Sequence, residues 1–316
     1  MEEASVTQSI VSVIVPCYNE QEMVPLFYEA VTAVESQLNG ARLEFIFVND
    51  GSTDKTLLEL QQLNHAHPDQ VHYISFSRNF GKESALYAGL EHATGDYVAV
   101  MDVDLQDPPE QLPEMLRGIQ DEGYDVVGTR RVNRDGEPVI RSFFSNLFYK
   151  LINKISSTEM LDGVRDYRLM TRQVVNAILS MPEYNRFSKG LFSWVGFKTK
   201  YLAYENRDRV AGSTSWSFWK LFQYSLDGII NFSDVPLSFA AFVGTFSFIL
   251  SIIGMIFIVV RKLIWNSSVN GWSSLVMLIL LIGGLQLLCL GIVGKYIGNL
   301  YLEAKHRPVY IVKEKK

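Results

Sequence analysis

The chain has 316 residues, of which 20% are charged, and a formal net charge of −5 at pH 7. This length allows one large domain and an additional segment. The acidic balance argues against a general nucleic-acid-binding protein, because such proteins carry a basic domain. The two cysteines, Cys17 and Cys289, lie far apart and match neither a disulfide framework nor a zinc site, so we expect both to be small apolar core residues.

Between residues 11 and 128, short β-rich runs alternate with amphipathic stretches. Strands are predicted at Val11–Pro16, Leu43–Val48, Val71–Phe76, Tyr97–Met101 and Asp125–Gly128, and helices at Glu22–Gln37, Thr56–Asn64, Ser84–His92 and Pro109–Asp121. This alternation predicts an α/β fold in which helices cover both faces of a mostly parallel sheet. In such sheets, ligands bind beyond the carboxyl ends of the strands.

Polar clusters follow four of the predicted strands. They are P-C-Y-N-E (16–20), V-N-D-G-S-T-D (48–54), S-R-N-F-G-K (77–82) and D-V-D-L-Q (102–106). One turn rich in Asp and Gly is ordinary loop chemistry, but four clusters on one edge of a sheet predict a binding site. Two common nucleotide signatures do not match: no G-x-G-x-x-G follows a strand, and Glu83 stands where a P-loop needs Ser or Thr.

The fourth cluster and the residue after it place Asp102, Asp104 and Asp107 directly after an apolar run. Carboxylates this close together repel one another and raise each other's pKa, so a cation or a basic side chain is expected beside them. In an Asp-x-Asp at a strand end, both carboxylates can lie on the same side. Hard oxygen ligands of this kind suit Mg²⁺ or Mn²⁺, which take other ligands from substrate phosphates.

In combination, the motifs resemble the family-two glycosyltransferases of the GT-A fold. The resemblance is closest to the bacterial polyprenyl-phosphate (bactoprenol) glucosyltransferase group, and dolichyl-phosphate mannose synthases are more distant relatives. It rests on P-C-Y-N-E, V-N-D-G-S-T-D, S-R-N-F-G-K-E, M-D-V-D-L-Q-D-P-P, G-V-R-D-Y-R-L-M, N-R-F-S-K-G-L-F-S-W-V-G-F, R-V-A-G-S-T-S-W and two C-terminal apolar stretches. One departure is Gly212–Trp216, where relatives commonly read G-x-[ST]-K-[YW] and this chain lacks the lysine.

The resemblance implies roles for the residues of the four clusters. Those at the nucleotide-sugar would be Pro16, Tyr18, Glu20, Asp50, Asn79, Lys82 and Asp102, and those at the metal ion, Mg²⁺ or Mn²⁺, would be Asp102, Asp104 and Gln106. Asp104 and Asp166 would be the catalytic carboxylates. The role of Asp166 remains open: it is either a base or a residue that orders Arg165 or Arg168. A phosphate monoester acceptor is already mostly dianionic at neutral pH and therefore has little need of a base.

A second group of residues is predicted to serve the acceptor. Apolar residues from Ile140 to Ile155 follow a helical 3,1,3,1 spacing, which indicates an amphipathic helix at about 140–156, lying in a membrane interface or alternatively facing the core. The resemblance implies that a lipid phosphate is bound by Arg131, Arg134, Arg141, Ser145 and Arg209. Any phosphate contact of the lysine missing from Gly212–Trp216 would be absent from this chain or supplied by Arg207 or Arg209.

Two long uncharged stretches, Val235–Val260 and Leu263–Gly294, are long enough to span a bilayer. We predict a catalytic domain at 1–210, a juxtamembrane amphipathic segment at 211–234, a transmembrane hairpin at 235–298 (helices at about 235–260 and 273–297) and a basic tail at 299–316. Lysines and arginines are more numerous in the tail than in the short loop after Val260. Positive charge favours the cytoplasmic side, so the catalytic domain and both termini are expected in the cytoplasm, with the hairpin in the plasma membrane.

The resulting hypothesis is a membrane-bound, metal-dependent, inverting glycosyltransferase for cell-envelope polysaccharide modification. It would move a sugar, implied by the resemblance to be glucose, from a UDP-sugar to polyprenyl (undecaprenyl) phosphate. N-acetylglucosamine or another sugar is an alternative, and a non-catalytic nucleotide-sugar-binding scaffold is a second one. A processive polysaccharide synthase is disfavoured because the chain lacks Q-x-x-R-W. The predicted partners are the UDP-sugar, the polyprenyl phosphate and the bilayer, without nucleic acid, and a two-helix anchor is compatible with a homo-oligomer.

Overall fold

A computed structural model describes residues 8–131, 152–154, 161, 163–204, 226–265 and 271–316. Within them, the strands are β1 Ile10–Cys17, β2 Arg42–Asn49, β3 Val71–Phe76, β4 Tyr97–Val100, β5 Val126–Arg131, β6 Val164–Thr171, β7 Thr199–Tyr204 and β8 Val312–Lys315. The helices are α1 Met23–Thr32, α2 Thr56–Ala66, α3 Lys82–His92, α4 Leu112–Gln120, α5 Arg172–Leu179, α6 Ser188–Trp194, α7 Val235–Trp265 and α8 Trp272–Ala304. Residues 226–232 are also helical.

The described strands form one sheet in the order β7-β5-β6-β4-β1-β2-β3-β8. Strands β4, β1, β2 and β3 run parallel, and their carboxyl ends therefore share one edge. The chain order reverses at β1, which pairs with β2 on one side and β4 on the other. A crevice beyond the strands at such a reversal is where ligands of open α/β sheets bind.

Alternating side chains of the central strands build two apolar layers. Val13 and Phe45 lie in the layer beneath α1, α2 and α4, and Ile14 and Ile46 lie in the layer beneath α3 and α5. The strands are rich in Val, Ile and Phe and are buried on both faces, as expected for parallel strands between helices. Each fully buried Phe or Ile contributes about 1.5–3 kcal/mol of transfer free energy, so these layers hold the sheet edge in place.

The four central strands lie where the sequence predicts them, but other elements differ. The helix predicted at Glu22–Gln37 ends at Thr32, and a 3-10 turn follows at Glu35–Gln37. Strands β6, β7 and β8 were not predicted. In β6, charged residues interrupt the apolar pattern, and Arg168 is buried because its guanidinium donates to the backbone carbonyls of Arg165 and Asp166.

Helices α7 and α8 form an antiparallel pair. Cys289 Sγ of α8 lies 3.6 Å from the carbonyl of Ala240 in α7, and Tyr296 Oη donates to the carbonyl of Ser233, 2.6 Å away, just before α7. Val235–Val260 and Leu275–Ala304 have mean hydropathies of 2.6 and 2.7 and are long and apolar enough to cross a membrane. Their apolar side chains face outward, for example Phe242 at 68% exposure. Such a surface is unusual for a soluble protein and typical of a membrane interaction.

The segment predicted as a basic tail at 299–316 is ordered structure. Helix α8 continues to Ala304, and β8 pairs antiparallel with β3, so that the chain end completes the sheet. The ring of Tyr310 stacks on Phe76 at 4.9 Å between centroids, and its hydroxyl donates to Glu91 of α3. This pairing covers the edge of β3, which would otherwise present unpaired backbone groups.

Replacing Tyr310 by Ala should release β8 from the sheet, because the ring of Tyr310 contacts both Phe76 and Tyr87 just before a strand of only four residues. We expect trypsin to cleave at Lys313 and Lys315 about tenfold faster, since cleavage follows the population of the locally open state. Tyr310→Phe keeps the ring, loses only the hydroxyl bond and should resemble the wild type. The measurement is limited proteolysis of the full-length protein in detergent; a Tyr310→Ala variant as resistant as the wild type would contradict the docking.

Candidate active site

Direct hydrogen bonds join the four polar clusters at the carboxyl ends of β1–β4. Between the first and second clusters, Asn19 N donates to Ser52 Oγ at 2.9 Å and Thr53 N donates to Asn19 Oδ1 at 2.8 Å. Between the second and third, the carboxylate of Asp50 accepts from the backbone N–H groups of Phe80 and Gly81, at 2.6 and 2.9 Å. The loops thus form one continuous polar surface along the sheet edge.

Gly51 lets the second and third loops approach each other. Its φ is +65°, and a Cβ added there would lie 2.3 Å from the carbonyl carbon of Arg78 and 2.5 Å from the backbone nitrogen of Asn79. Only glycine combines this left-handed conformation with such a close backbone approach. Asp50, next to it, is buried, and burial raises the pKa of its carboxyl although two backbone N–H groups and Arg78 oppose the rise.

Lys82 joins the third cluster to the acidic fourth cluster. Its ammonium lies 2.6 Å from Asp102 Oδ1 and 2.6 Å from Asp166 Oδ2, which brings together residues far apart in the sequence. Burial by itself lowers the pKa of Lys82, but the two carboxylates raise it well above its ordinary value. Burial by itself raises the pKa of Asp166, but Lys82 first, and then Lys189 and Arg168, hold it well below its ordinary value. A basic side chain therefore neutralises part of the acidic cluster.

Arg165 neutralises the other end of the cluster. Its Nε donates to Asp107 Oδ1 at 3.2 Å, and its Nη2 donates to Gln106 Oε1 at 3.2 Å. Asp107 is buried and also accepts from Tyr204 Oη at 2.6 Å. Burial raises the pKa of Asp107, and Arg165 and Tyr204 counteract this rise. Gln106 is therefore oriented by a network whose other members include Arg165 of β6 and Tyr204 of β7. The sequence patterns did not predict these two strands.

The predicted metal ligands lie on a strained turn. Leu105, between Asp104 and Gln106, has a φ of 55°, a conformation that non-glycine residues seldom adopt and that often occurs at functional sites. Asp104 is 7% exposed, and its Oδ1 accepts from Gln106 N at 3.1 Å. In the part of the chain that the structure describes, no group of three His, Cys, Asp or Glu residues could hold a metal ion. Two carboxylates and an amide oxygen nevertheless fit Mg²⁺ or Mn²⁺, which need few protein ligands when substrate phosphates supply the rest.

The comparisons with known proteins identify the family. Residues 12–179, which carry all four clusters and Asp166, match glycosyl transferase family 2. The chain belongs to this family. CsbB of Bacillus subtilis (strain 168) is 46% identical over 307 residues, covering 97% of this chain and 92% of that protein. The bactoprenol glucosyl transferase of Shigella phage SfV is 42% identical over 306 residues, covering 97% and 99%, and the prophage bactoprenol glucosyl transferase homolog of Escherichia coli (strain K12) has the same identity and coverage.

Family membership and the mostly parallel GT-A sheet predicted from the motifs are confirmed. In this family-2 glycosyltransferase, the residues predicted at the nucleotide-sugar all lie at the shared strand edge. Pro16 and Glu20 are partly buried in the first cluster, whereas the ring of Tyr18 is 43% exposed and Asn79 is also exposed. An exposed aromatic ring beside polar loops is suited to stacking on a base.

The residues predicted to bind a lipid phosphate lie mostly outside the described part of the glycosyltransferase. Arg134, Arg141, Ser145 and Arg209 are outside it, as are Arg207 and most of the helix predicted at 140–156. Arg131 ends β5, where its N–H donates to the carbonyl of Gly163 at 3.0 Å, and its charge acts on Tyr204. Residues 152–154 are helical, and Ile152 is buried in a cluster with Phe187.

Four residues of the site were not assigned to it from the sequence: Asp107, Arg165, Lys189 and Tyr204. Adjacency in the sequence suggests Arg165 as the partner of Asp166, whereas the structure pairs it with Asp107. Lys189 lies within the quoted N-R-F-S-K-G motif, and its charge acts on Asp166 across the space between α6 and β6. Tyr204 carried no sequence signal, because its role follows from the placement of β7 next to β5.

Gly51→Ala should damage the site more than Gly40→Ala does. Both glycines have positive φ, so each alanine costs about 1 kcal/mol of backbone strain, but nothing lies within 4 Å of a Cβ at Gly40. We expect Gly51→Ala to lower the melting temperature further and to abolish the stabilisation by UDP, the predicted donor nucleotide, that Gly40→Ala retains. Thermal unfolding with and without UDP measures both effects. Equal behaviour of the two variants would contradict the close approach of the loops.

Proposed function

We propose that this family-2 glycosyltransferase transfers glucose from UDP-glucose to a polyprenyl phosphate at a membrane, releasing UDP. The observation that carries the proposal is the 42% identity to a bactoprenol glucosyl transferase over 97% of this chain and 99% of that protein, a range that includes both the site and the apolar helix pair. An oxygen of the acceptor phosphate would attack the anomeric carbon as its bond to the UDP oxygen breaks. A single displacement of this kind inverts the anomeric configuration.

The donor would lie along the joined loops at the strand ends. Pro16, Tyr18, Glu20 and Asp50 would line the uracil and ribose pocket, and Asn79 and Lys82 would lie near the diphosphate and the sugar. The bonds from Asp50 to the third loop support this arrangement, because they hold the loop that carries Asn79 and Lys82. A cationic Lys82 suits a group that gains negative charge as UDP leaves.

A divalent cation would be held by Asp102, Asp104 and Gln106. When bound, it neutralises the diphosphate and makes UDP a better leaving group. The hard oxygen donors and the strained Leu105 turn support such a site. Asp102 would serve two partners, because its carboxylate also lies beside Lys82.

Asp166 would act through Lys82 and not as a proton acceptor. Its lowered pKa makes it a weak base, and its carboxylate holds the Lys82 ammonium at 2.6 Å. The acceptor phosphate has a second pKa of about 6, so at neutral pH it needs orientation more than deprotonation. The acceptor would be oriented by the basic residues Arg131, Arg134, Arg141 and Arg209 and by the hydroxyl of Ser145; all of these except Arg131 lie outside the described residues.

The helix pair would cross the plasma membrane with the catalytic domain and both chain ends in the cytoplasm. The contact between Tyr296 and Ser233, and the pairing of β8 with β3, support a hairpin with both ends beside the catalytic domain. The excess of lysine and arginine in 299–316 over the short loop supports a cytoplasmic orientation. The site would then lie at the level of the lipid headgroups, where the acceptor phosphate is found.

The proposal requires glucose transfer to depend on both a divalent metal ion and polyprenyl phosphate. Purified protein in lipid nanodiscs should consume UDP-glucose only when both are present, and EDTA should stop the reaction. Asp104→Asn should lower kcat/KM at least about 100-fold, as expected when charge stabilisation at the diphosphate is lost. Asp69→Asn, an exposed aspartate just before β3 at the opposite sheet edge, is the matched control and should leave activity unchanged.

A panel of UDP-sugars decides the donor in the same assay. Preferential use of UDP-N-acetylglucosamine would replace glucose in the proposal. Binding of UDP without any transfer, across the panel and with metal and acceptor present, would favour a non-catalytic scaffold.

A double-mutant cycle tests whether Asp166 acts through Lys82. If it does, Lys82→Ala and Lys82→Ala/Asp166→Asn should have similar kcat values, because Asp166→Asn has no further effect once its partner is absent. An independent general base would instead contribute its own factor of about 100 to 10,000 in both backgrounds. Single-turnover rates at saturating UDP-glucose give the comparison, and multiplicative losses would exclude the proposed coupling.

A further inference from the structure

A second group of charged residues lies behind the site, where α3, α6 and α8 meet. It surrounds residues 184–190, named here the junction segment, which carry Arg186, Ser188 and Lys189. Arg186 is buried with its guanidinium 4.4 Å from the ring centroid of Tyr87 on α3. Phe187 packs against Phe232 at 5.9 Å, just before α7. The junction segment therefore contacts both α3, which begins with Lys82, and the residues just before α7.

On the site side, Glu83 holds the junction segment. Its Oε2 accepts from Ser188 N at 2.9 Å and also from Ser188 Oγ. Glu83 directly follows Lys82 at the start of α3, and Ser188 directly precedes Lys189, whose charge acts on Asp166. The bonds between Glu83 and Ser188 therefore link Lys82, which contacts Asp166, to Lys189, whose charge also acts on Asp166.

On the membrane side, helix α8 holds the same segment. Glu303 Oε1 accepts from the backbone N–H groups of Tyr184 and Asn185, at 2.8 and 3.2 Å. The carbonyl of Asn185 accepts from Asn231 Nδ2 at 2.7 Å, and Asn231 Oδ1 accepts from Asn299 Nδ2 of α8 at 3.3 Å. Asn299 and Glu303, one turn apart on α8, thus both hold the backbone of Asn185: Glu303 directly and Asn299 through Asn231.

We propose that Glu83 and Glu303 are positioning residues. By holding the junction segment between α3 and the end of the membrane helix α8, they keep Lys82 in place beside Asp166. The inference rests on the proposed donor site at Lys82. Glu83 would act through the junction segment and not on the donor itself, because its carboxylate accepts from Ser188. Its contribution to catalysis is the placement of Lys82 and Lys189, and errors of about 1 Å in such placement reduce rates substantially.

The test compares donor and acceptor kinetics of full-length variants in nanodiscs. Glu83→Gln keeps the side-chain length but loses the charge that accepts two bonds, and it should raise the KM for UDP-glucose about fivefold while the KM for polyprenyl phosphate stays within about twofold. Glu303→Gln should raise the donor KM in the same direction. The double variant should fall short of the product of the two effects, because both act on one segment.

Glu114→Gln is the matched control, since Glu114 also lies in the first turn of a helix, α4, but is exposed. It should retain the wild-type donor KM. Ser188→Ala removes the hydroxyl but keeps the backbone N–H, so it should give a smaller rise in donor KM than Glu83→Gln. A donor KM within about twofold of wild type in both Glu83→Gln and Glu303→Gln would overturn the proposal, even if both variants melt at lower temperature.

Calorimetric binding of UDP to the same variants separates this inference from the proposed function. Binding needs no acceptor, so weaker UDP binding by Glu83→Gln supports the positioning role even if no polyprenyl phosphate is glucosylated. Normal UDP binding and normal donor KM in Glu83→Gln would overturn the positioning role while glucose transfer by the wild type remains intact.

Discussion

The position of the Lys82 ammonium between Asp102 and Asp166 is the interaction on which the rest of the site depends. Parallel strands bring several polar loops to one edge of the sheet, and this concentrates carboxylates that would otherwise repel one another. Lys82 neutralises two of them, and Arg165 does the same for Asp107. Removing one partner of such a partly buried pair leaves an uncompensated charge, so these basic residues are constraints on the fold as well as on the chemistry.

The elements next to Lys82 also connect the catalytic domain to the apolar helix pair. The chain leaves the domain near residue 232, passes through α7 and α8 and returns to add β8 beside β3. Helix α3, which follows β3, begins with Lys82, and the end of α8 binds the junction segment through Glu303. The helix pair is therefore joined to the sheet through β8 and to the junction segment through Glu303, so it is packed against the catalytic domain at more than one point.

Much of the fold was predictable because it is locally encoded. The strands β1–β4 appear as apolar runs of Val, Ile and Phe that end in polar turns, and parallel topology then places those turns together. Strand β6 was missed because its charged residues obscure the apolar pattern, although Arg168 is buried among backbone carbonyls. Strand β8 was missed because it is four residues long and separated from β3 by more than 200 residues, so that only the folded sheet brings them together.

The sequence by itself determined the family, the two apolar helices and the residues that line the strand edge, since these depend on local composition and on motifs. Tertiary structure alone decided the partners of the charged side chains: Lys82 pairs with Asp166, Asp107 accepts from both Arg165 and Tyr204, and Glu83 accepts from Ser188. The physical reason is that ion pairs and hydrogen bonds form between whichever groups the packed elements bring within a few ångströms. Spacing along the chain carries no information about partners on different strands and helices.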